Sequence, residues 1–197
     1  MKKLRGAVLL CVFLLPLAAC LPVMSLHTWY TEADVVSDPS LPGTWYMIDG
    51  DKPDTSSTLT ITKDESDGYA LSVNEKDHPD LTDQWSMVVF RIGDRRYVDT
   101  SEREIDSGGK DTGFGDLKLP IHMVGTIDIA KDDVVMNLLD DDWLKNALKA
   151  DPNLIHYERT GDVSLLIAGT AELQKLIAKS VTDPKAFSEK TELRRKK

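Results

Sequence analysis

The sequence predicts a mainly β domain with some helix: an antiparallel meander curled into a barrel-like form, with two helices of the C-terminal half packed on it. Three observations carry this prediction. From Gly43 onward, apolar and β-branched residues recur with a period of two. Short polar turns, Ser66-Asp67-Gly68, Gly93-Asp94, Lys131-Asp132 and Gly161-Asp162, separate the runs as hairpin connections do. Two later segments break this pattern and repeat every 3.6 residues instead. At 197 residues and 41% hydrophobic the chain suffices for one packed domain, too short for two and too apolar for disorder.

The first strand is read in Gly43-Thr44-Trp45-Tyr46-Met47-Ile48, rich in aromatic and β-branched types. In the first hairpin Leu59 and Ile61 alternate with threonines, and Tyr69, Leu71 and Val73 answer them. Trp85 to Ile92 with Arg96 to Val98, Ile121 to Ala130 with Val134 to Leu139, and Ile155 to Arg159 with Val163 to Ala168 repeat the motif. A meander of about eight strands lowers its free energy by closing, because closure pairs both edges. The first helix is expected after Asp140-Asp141-Asp142, with Trp143, Leu144, Ala147 and Leu148 on one face; the aspartates cap amides and oppose the dipole. The second is expected from Thr170 to Asp183-Pro184, with Leu173, Leu176, Ile177 and Val181 as its stripe. Trp85 to Ile92 and Val163 to Ala168 are apolar on both faces, so the helices are expected to cover the sheet there.

The start of the chain has a different character. Lys2, Lys3 and Arg5 precede an apolar run, Ala7 to Leu17, too short to span a bilayer, the pattern of a secretory signal. It ends in Leu17-Ala18-Ala19-Cys20, which resembles the lipobox of bacterial lipoproteins. That resemblance implies a signal peptide over residues 1–19, lipid on Cys20, and a location in the bacterial cell envelope. Leu21 in place of aspartate favours the outer membrane where the cell has one. Residues 20–41, broken by Pro22, Pro39 and Pro42, read as a lipid-anchored tether, and residues 42–197 as the single domain. Within the tether, packing of Trp29 and Tyr30 on the domain is weighed against a place at the lipid headgroups.

Removing residues 1–19 takes away three positive charges and no negative ones, so the net charge moves from −9 to −12. A domain this acidic is a poor partner for nucleic acid. Cys11 leaves with the signal and Cys20 is consumed by lipid, which leaves no thiol for a disulfide, a nucleophile or a metal. The sequence has no G-x-S-x-G turn, and Gly113-Phe114-Gly115 lacks the rest of a phosphate-binding loop. No catalytic residues, cofactor or metal are therefore assigned, and the chain is read as a non-enzyme. Strand parity turns His122 and His156 away from the main core; a His122/His156 site with Glu158 needs their strands to pair. The Gly-rich stretch Ser101 to Lys118 reads as a long loop, and Arg194-Arg195-Lys196-Lys197 as a solvated terminus.

Two wider resemblances remain. Leu41-Pro42-Gly43-Thr44-Trp45 places G-x-W at the first strand and is similar to the opening motif of lipocalins. In that family the tryptophan plugs one end of a barrel that holds an apolar ligand. The T-D-Y turn of classical lipocalins is missing, and the sequence names no arginine to pack on Trp45. More broadly, Tyr30-Thr31-Glu32, Tyr97-Val98-Asp99, Leu119-Pro120-Ile121-His122, Leu139 to Leu144 and Thr170 to Gln174 resemble a group of uncharacterised bacterial lipoproteins, with no activity to carry over. The expectation is thus an envelope lipoprotein, held at the membrane by the lipid on Cys20, that binds a small apolar ligand or lipid. Trp45 is its floor, and Tyr69, Trp85, Met87 and Phe90 are candidates for its lining. The alternative is an envelope scaffold or protein-interaction module with a filled core.

Overall fold

The structure is a computed structural model that describes residues 23–64, 67–76, 82–102, 121–160 and 163–197. The expected signal peptide and Cys20, the Gly161-Asp162 turn and all but the first two residues of the Ser101–Lys118 loop lie outside the described residues. The described strands are β1 (Met24–Ser25), β2 (Gly43–Asp49), β3 (Lys52–Pro53), β4 (Ser57–Lys63), β5 (Tyr69–Glu75), β6 (Thr82–Ile92) and β7 (Arg95–Glu102). They continue with β8 (His122–Ile129), β9 (Asp133–Leu139), β10 (Tyr157–Thr160), β11 (Val163–Leu166) and β12 (Phe187–Arg195). The helices are α1 (Asp141–Ala150) and α2 (Thr170–Ser180).

Eight strands close into an up-and-down antiparallel barrel in the order β2–β4–β5–β6–β7–β8–β9–β12, and β12 pairs back onto β2. The predicted meander and its closure are both present. The closing strand is the one the sequence concealed: β12 pairs along β9 and, at Leu193 to Arg195, with β2. The basic C-terminus read as solvated is corrected at Arg195, which is partly buried and paired with Trp45; Arg194, paired with Tyr46, and Lys196 and Lys197 are exposed as read.

Register shows which residues face inward. The directly opposed pairs Trp45–Leu59, Ile61–Leu71, Leu71–Trp85, Tyr69–Met87, Val89–Val98 and Ile127–Met136 trace one face around the wall. They form one apolar cluster with Leu41, Val134 and Leu193. A second cluster lies on the other side of the same wall, where Phe90, Tyr97, Val124 and Leu139 meet Leu144 and Leu148 of α1 and Leu173, Leu176 and Ile177 of α2. Both helices thus cover barrel strands, and β6 serves both cores, as its two apolar faces predicted. Asp140 caps α1 through Oδ1, which accepts the Trp143 amide at 2.7 Å.

The segment read as a tether belongs to the domain from Val23 onward. β1 lies between β8 and β11, and Val23, Ser25, Trp29 and Leu41 are buried. The prolines interrupt regular structure here, as the sequence indicates. They mark an irregular path, whose buried side chains supply the packing that regular pairing does not.

Candidate functional site

The two ends of the barrel differ in how they are closed. At the end where β2 begins, residues 35–42 cross from wall to wall. Val35 bridges Phe90, the Val36 amide donates to Val89 O (2.9 Å), and Lys63 Nζ donates to Ser37 Oγ (2.8 Å). Asp38 is the centre of this strap. Its amide donates to Tyr69 Oη (2.7 Å), Tyr69 Oη donates to its carbonyl (3.0 Å), and its carboxylate holds Arg96 Nη1 at 2.9 Å. Burial alone raises the pKa of that carboxyl, but the Ser40 hydroxyl and amide and the Arg96 guanidinium outweigh it and hold it below the ordinary value.

Trp45 seals the same end with no exposed surface, its Nε1 donating to Leu41 O at 3.0 Å. Arg195 stacks on its ring, the guanidinium carbon 4.1 Å from the centroid, and donates to the carbonyls of Pro42 (3.1 Å), Lys131 (3.1 Å) and Ser40. This is the arginine that the sequence could not assign. Gly43 has φ of +150°, where L side chains rarely go, and a Cβ there would collide with the Arg195 guanidinium. The glycine of G-x-W is thus explained by the arginine above the tryptophan.

Among the described residues, no such strap or plug seals the opposite end. Inward-facing Met47 is 43% exposed, although Leu193, directly opposite it, is 2% exposed. Val73, Trp85 and Met136 also face inward and are only partly buried. Of the five residues expected at a ligand site, Trp45, Tyr69 and Met87 are buried at or below mid-barrel, and Trp85 stands nearer the open end. Phe90 does not join them. It faces the helices, 5.6 Å from the Tyr97 ring and 5.8 Å from Tyr30, so its place in the lining is corrected. Its parity, opposite to that of Trp85 and Met87 on the same strand, is the sequence signal that separates it.

His122 faces outward, as parity indicated, into a packed environment. Its Nδ1 lies 2.8 Å from Oδ1 of Asp99, and Oδ2 of Asp99 accepts the Trp29 amide at 2.9 Å. Asp99 was not singled out in the sequence, yet its carboxylate fastens the N-terminal segment to the outer wall. Burial raises the pKa of neighbouring Tyr30, and the Asp99 charge adds to the shift. His156 instead pairs with Glu172 at 3.5 Å, and β1 and β11 separate its strand from that of His122. The hypothetical His122/His156/Glu158 site does not form. Among the described residues no group of three His, Cys, Asp or Glu side chains is placed to hold a metal.

A separate cleft of about 690 Å³ lies outside the barrel, between Arg95, Thr126, Asp128 and Asn137 of the wall and Asp183 and Phe187 beyond α2. It carries both charges, and none of the residues expected to line a ligand site forms its walls. Compared with family models, with curated proteins and with solved structures, the chain matches none. The class rests on geometry alone: a closed eight-stranded antiparallel barrel with two helices in the C-terminal half, consistent with a lipocalin-like barrel.

Proposed function

We propose that this chain is a lipid-anchored protein of the bacterial cell envelope whose barrel is a cup for a small apolar ligand or lipid. The observation that supports this is the gradient of exposure along the inward face. Trp45, Tyr69 and Met87 are 0–1% exposed toward the plugged end, whereas Met47 at the other end is 43% exposed and Trp85, Val73 and Met136 are partly open. Apolar side chains that face inward yet meet solvent are the wall an apolar ligand would cover, each ligand CH₂ buried adding about 0.8 kcal/mol. Native mass spectrometry before and after solvent extraction tests the reading. One apolar molecule per chain is expected, and Val73→Arg should abolish its retention. A protein that carries nothing and takes up no fatty alcohol overturns it.

The alternative, a protein-interaction module, has one observation in its favour. Among the described residues β10 ends the sheet with an unpaired edge, on which a partner strand can add. Crosslinking in intact cells that captures the same protein through β10 would shift the balance to it.

A further inference from the structure

Charge is distributed unevenly between the two ends of the barrel, and the unevenness bears on what the cup holds. By strand parity the inward positions at the plugged end finish in Lys63, Arg91, Arg96 and Arg195, each in line with the core residues of its strand. At the open end the same inward rows finish in Asp49, Glu75 and Glu102. Glu102 stands directly opposite Trp85, and Glu75 is two residues beyond Val73, so both carboxylates continue the rows that carry the partly open apolar wall. Glu75 and Glu102 are exposed and have no ion pair among the described residues. Asp49 faces Lys52 across the β2–β3 turn, and Lys76 follows Glu75. Asp51 and Asp54 keep the described part of this rim acidic even so.

We propose that the occupant of the cup is a single-chain amphiphile with a cationic head group, its tail against Met47, Val73, Trp85 and Met136 and its charge beside Glu75 and Glu102. The inference rests on the cup reading above and deepens it. Trp45, Arg195 and the 35–42 strap fill the plugged end, so an apolar tail is directed to the other, where no described residue forms such a plug. The head group is then left at the rim, where carboxylates attract a cation and repel an anion. Of the four cations at the positive end, Arg195, Arg96 and Lys63 are already engaged by Trp45, Asp38 and Ser37, and all four, Arg91 included, lie at the far end of the barrel from the partly open wall.

The test uses the full chain in native membranes and three photo-crosslinking probes with the same diazirine-bearing C12 chain: an amine, a carboxylate and an alcohol. The amine is expected to label the inward faces of β2, β5 and β6 at least about tenfold more than the carboxylate. In a Glu75→Gln/Glu102→Gln variant that ratio should fall below about threefold, with alcohol labelling unchanged. Carboxylate labelling equal to that of the amine, or a ratio unaltered in the variant, overturns the cationic assignment and leaves the cup standing. If no probe labels the inward faces, the cup and this inference fall together.

Discussion

Arg195 shows how one side chain can fix an end of a fold. Its guanidinium lies flat on Trp45 while its N–H groups reach three carbonyls, from Ser40, Pro42 and Lys131. It therefore ties the strap, the β8–β9 turn and the plug to the last residue of β12. A planar, always-charged fork does this; an ammonium offers a point charge and cannot stack in the same way. Arg195→Ala is expected to destabilise the protein by about 2 kcal/mol, from the lost cation–π contact and hydrogen bonds. Arg195→Lys should recover less than half of that. Urea unfolding followed by tryptophan fluorescence measures both, and a loss in the alanine variant below about 0.5 kcal/mol would show that the contact is incidental.

Among the elements, β12 joins the barrel into a closed surface and was the hardest to see. A bulge at Ser188 breaks its period after Phe187, its later outward-facing positions are Lys190, Glu192 and Arg194, and its inward-facing apolar content at the closing edge is one residue, Leu193. Strands β4, β5, β6, β8 and β9 were legible because each carries two or more apolar residues at alternate positions, and β7 because Tyr97 and Val98 follow the Gly93-Asp94 turn. The helices were legible from their stripes and from Asp140. What periodicity could not reveal was a polar strand held by neighbours on both sides, or the irregular segment from Val23 to Leu41, whose burial depends on partners distant in sequence. The candidate site was legible in the same proportion: Trp45, Tyr69, Trp85 and Met87 do share the inward face, whereas Arg195 and Asp99 gain their roles only through contacts across the fold. Leu193→Pro tests the closure. Proline removes a ladder donor from a strand paired on both sides and takes leucine out of the core, a loss of about 3 kcal/mol or more. It also exposes the edges of β2 and β9. Size-exclusion chromatography should find the variant aggregated or absent from the soluble fraction. A monomer with unaltered cooperative unfolding would mean that the barrel does not depend on β12 to close.

At the scale of the whole molecule, two cores share one wall, and the N-terminal segment is part of both: Trp29 packs in the outer cluster, and Leu41 in the barrel. This constrains the membrane attachment proposed at Cys20. Val23 is already buried, so only Leu21 and Pro22 separate the cysteine from the domain, and three extended residues reach at most about 11 Å. If Cys20 carries lipid, the ledge of β1, β10 and β11 lies close to the bilayer surface, and exposed Ile167 beside β11 lies on that ledge. Cys20→Ala should abolish incorporation of an alkyne fatty acid, because the only other cysteine, Cys11, lies in the segment that the proposed processing removes. The same variant should unfold at the wild-type temperature, since position 20 precedes the first buried residue described. Wild-type labelling in the variant would place the anchor elsewhere and remove the basis for an envelope location. A lowered unfolding temperature would instead mean that residues before Val23 contribute to the fold, so labelling and stability report on the anchor and on the domain boundary separately.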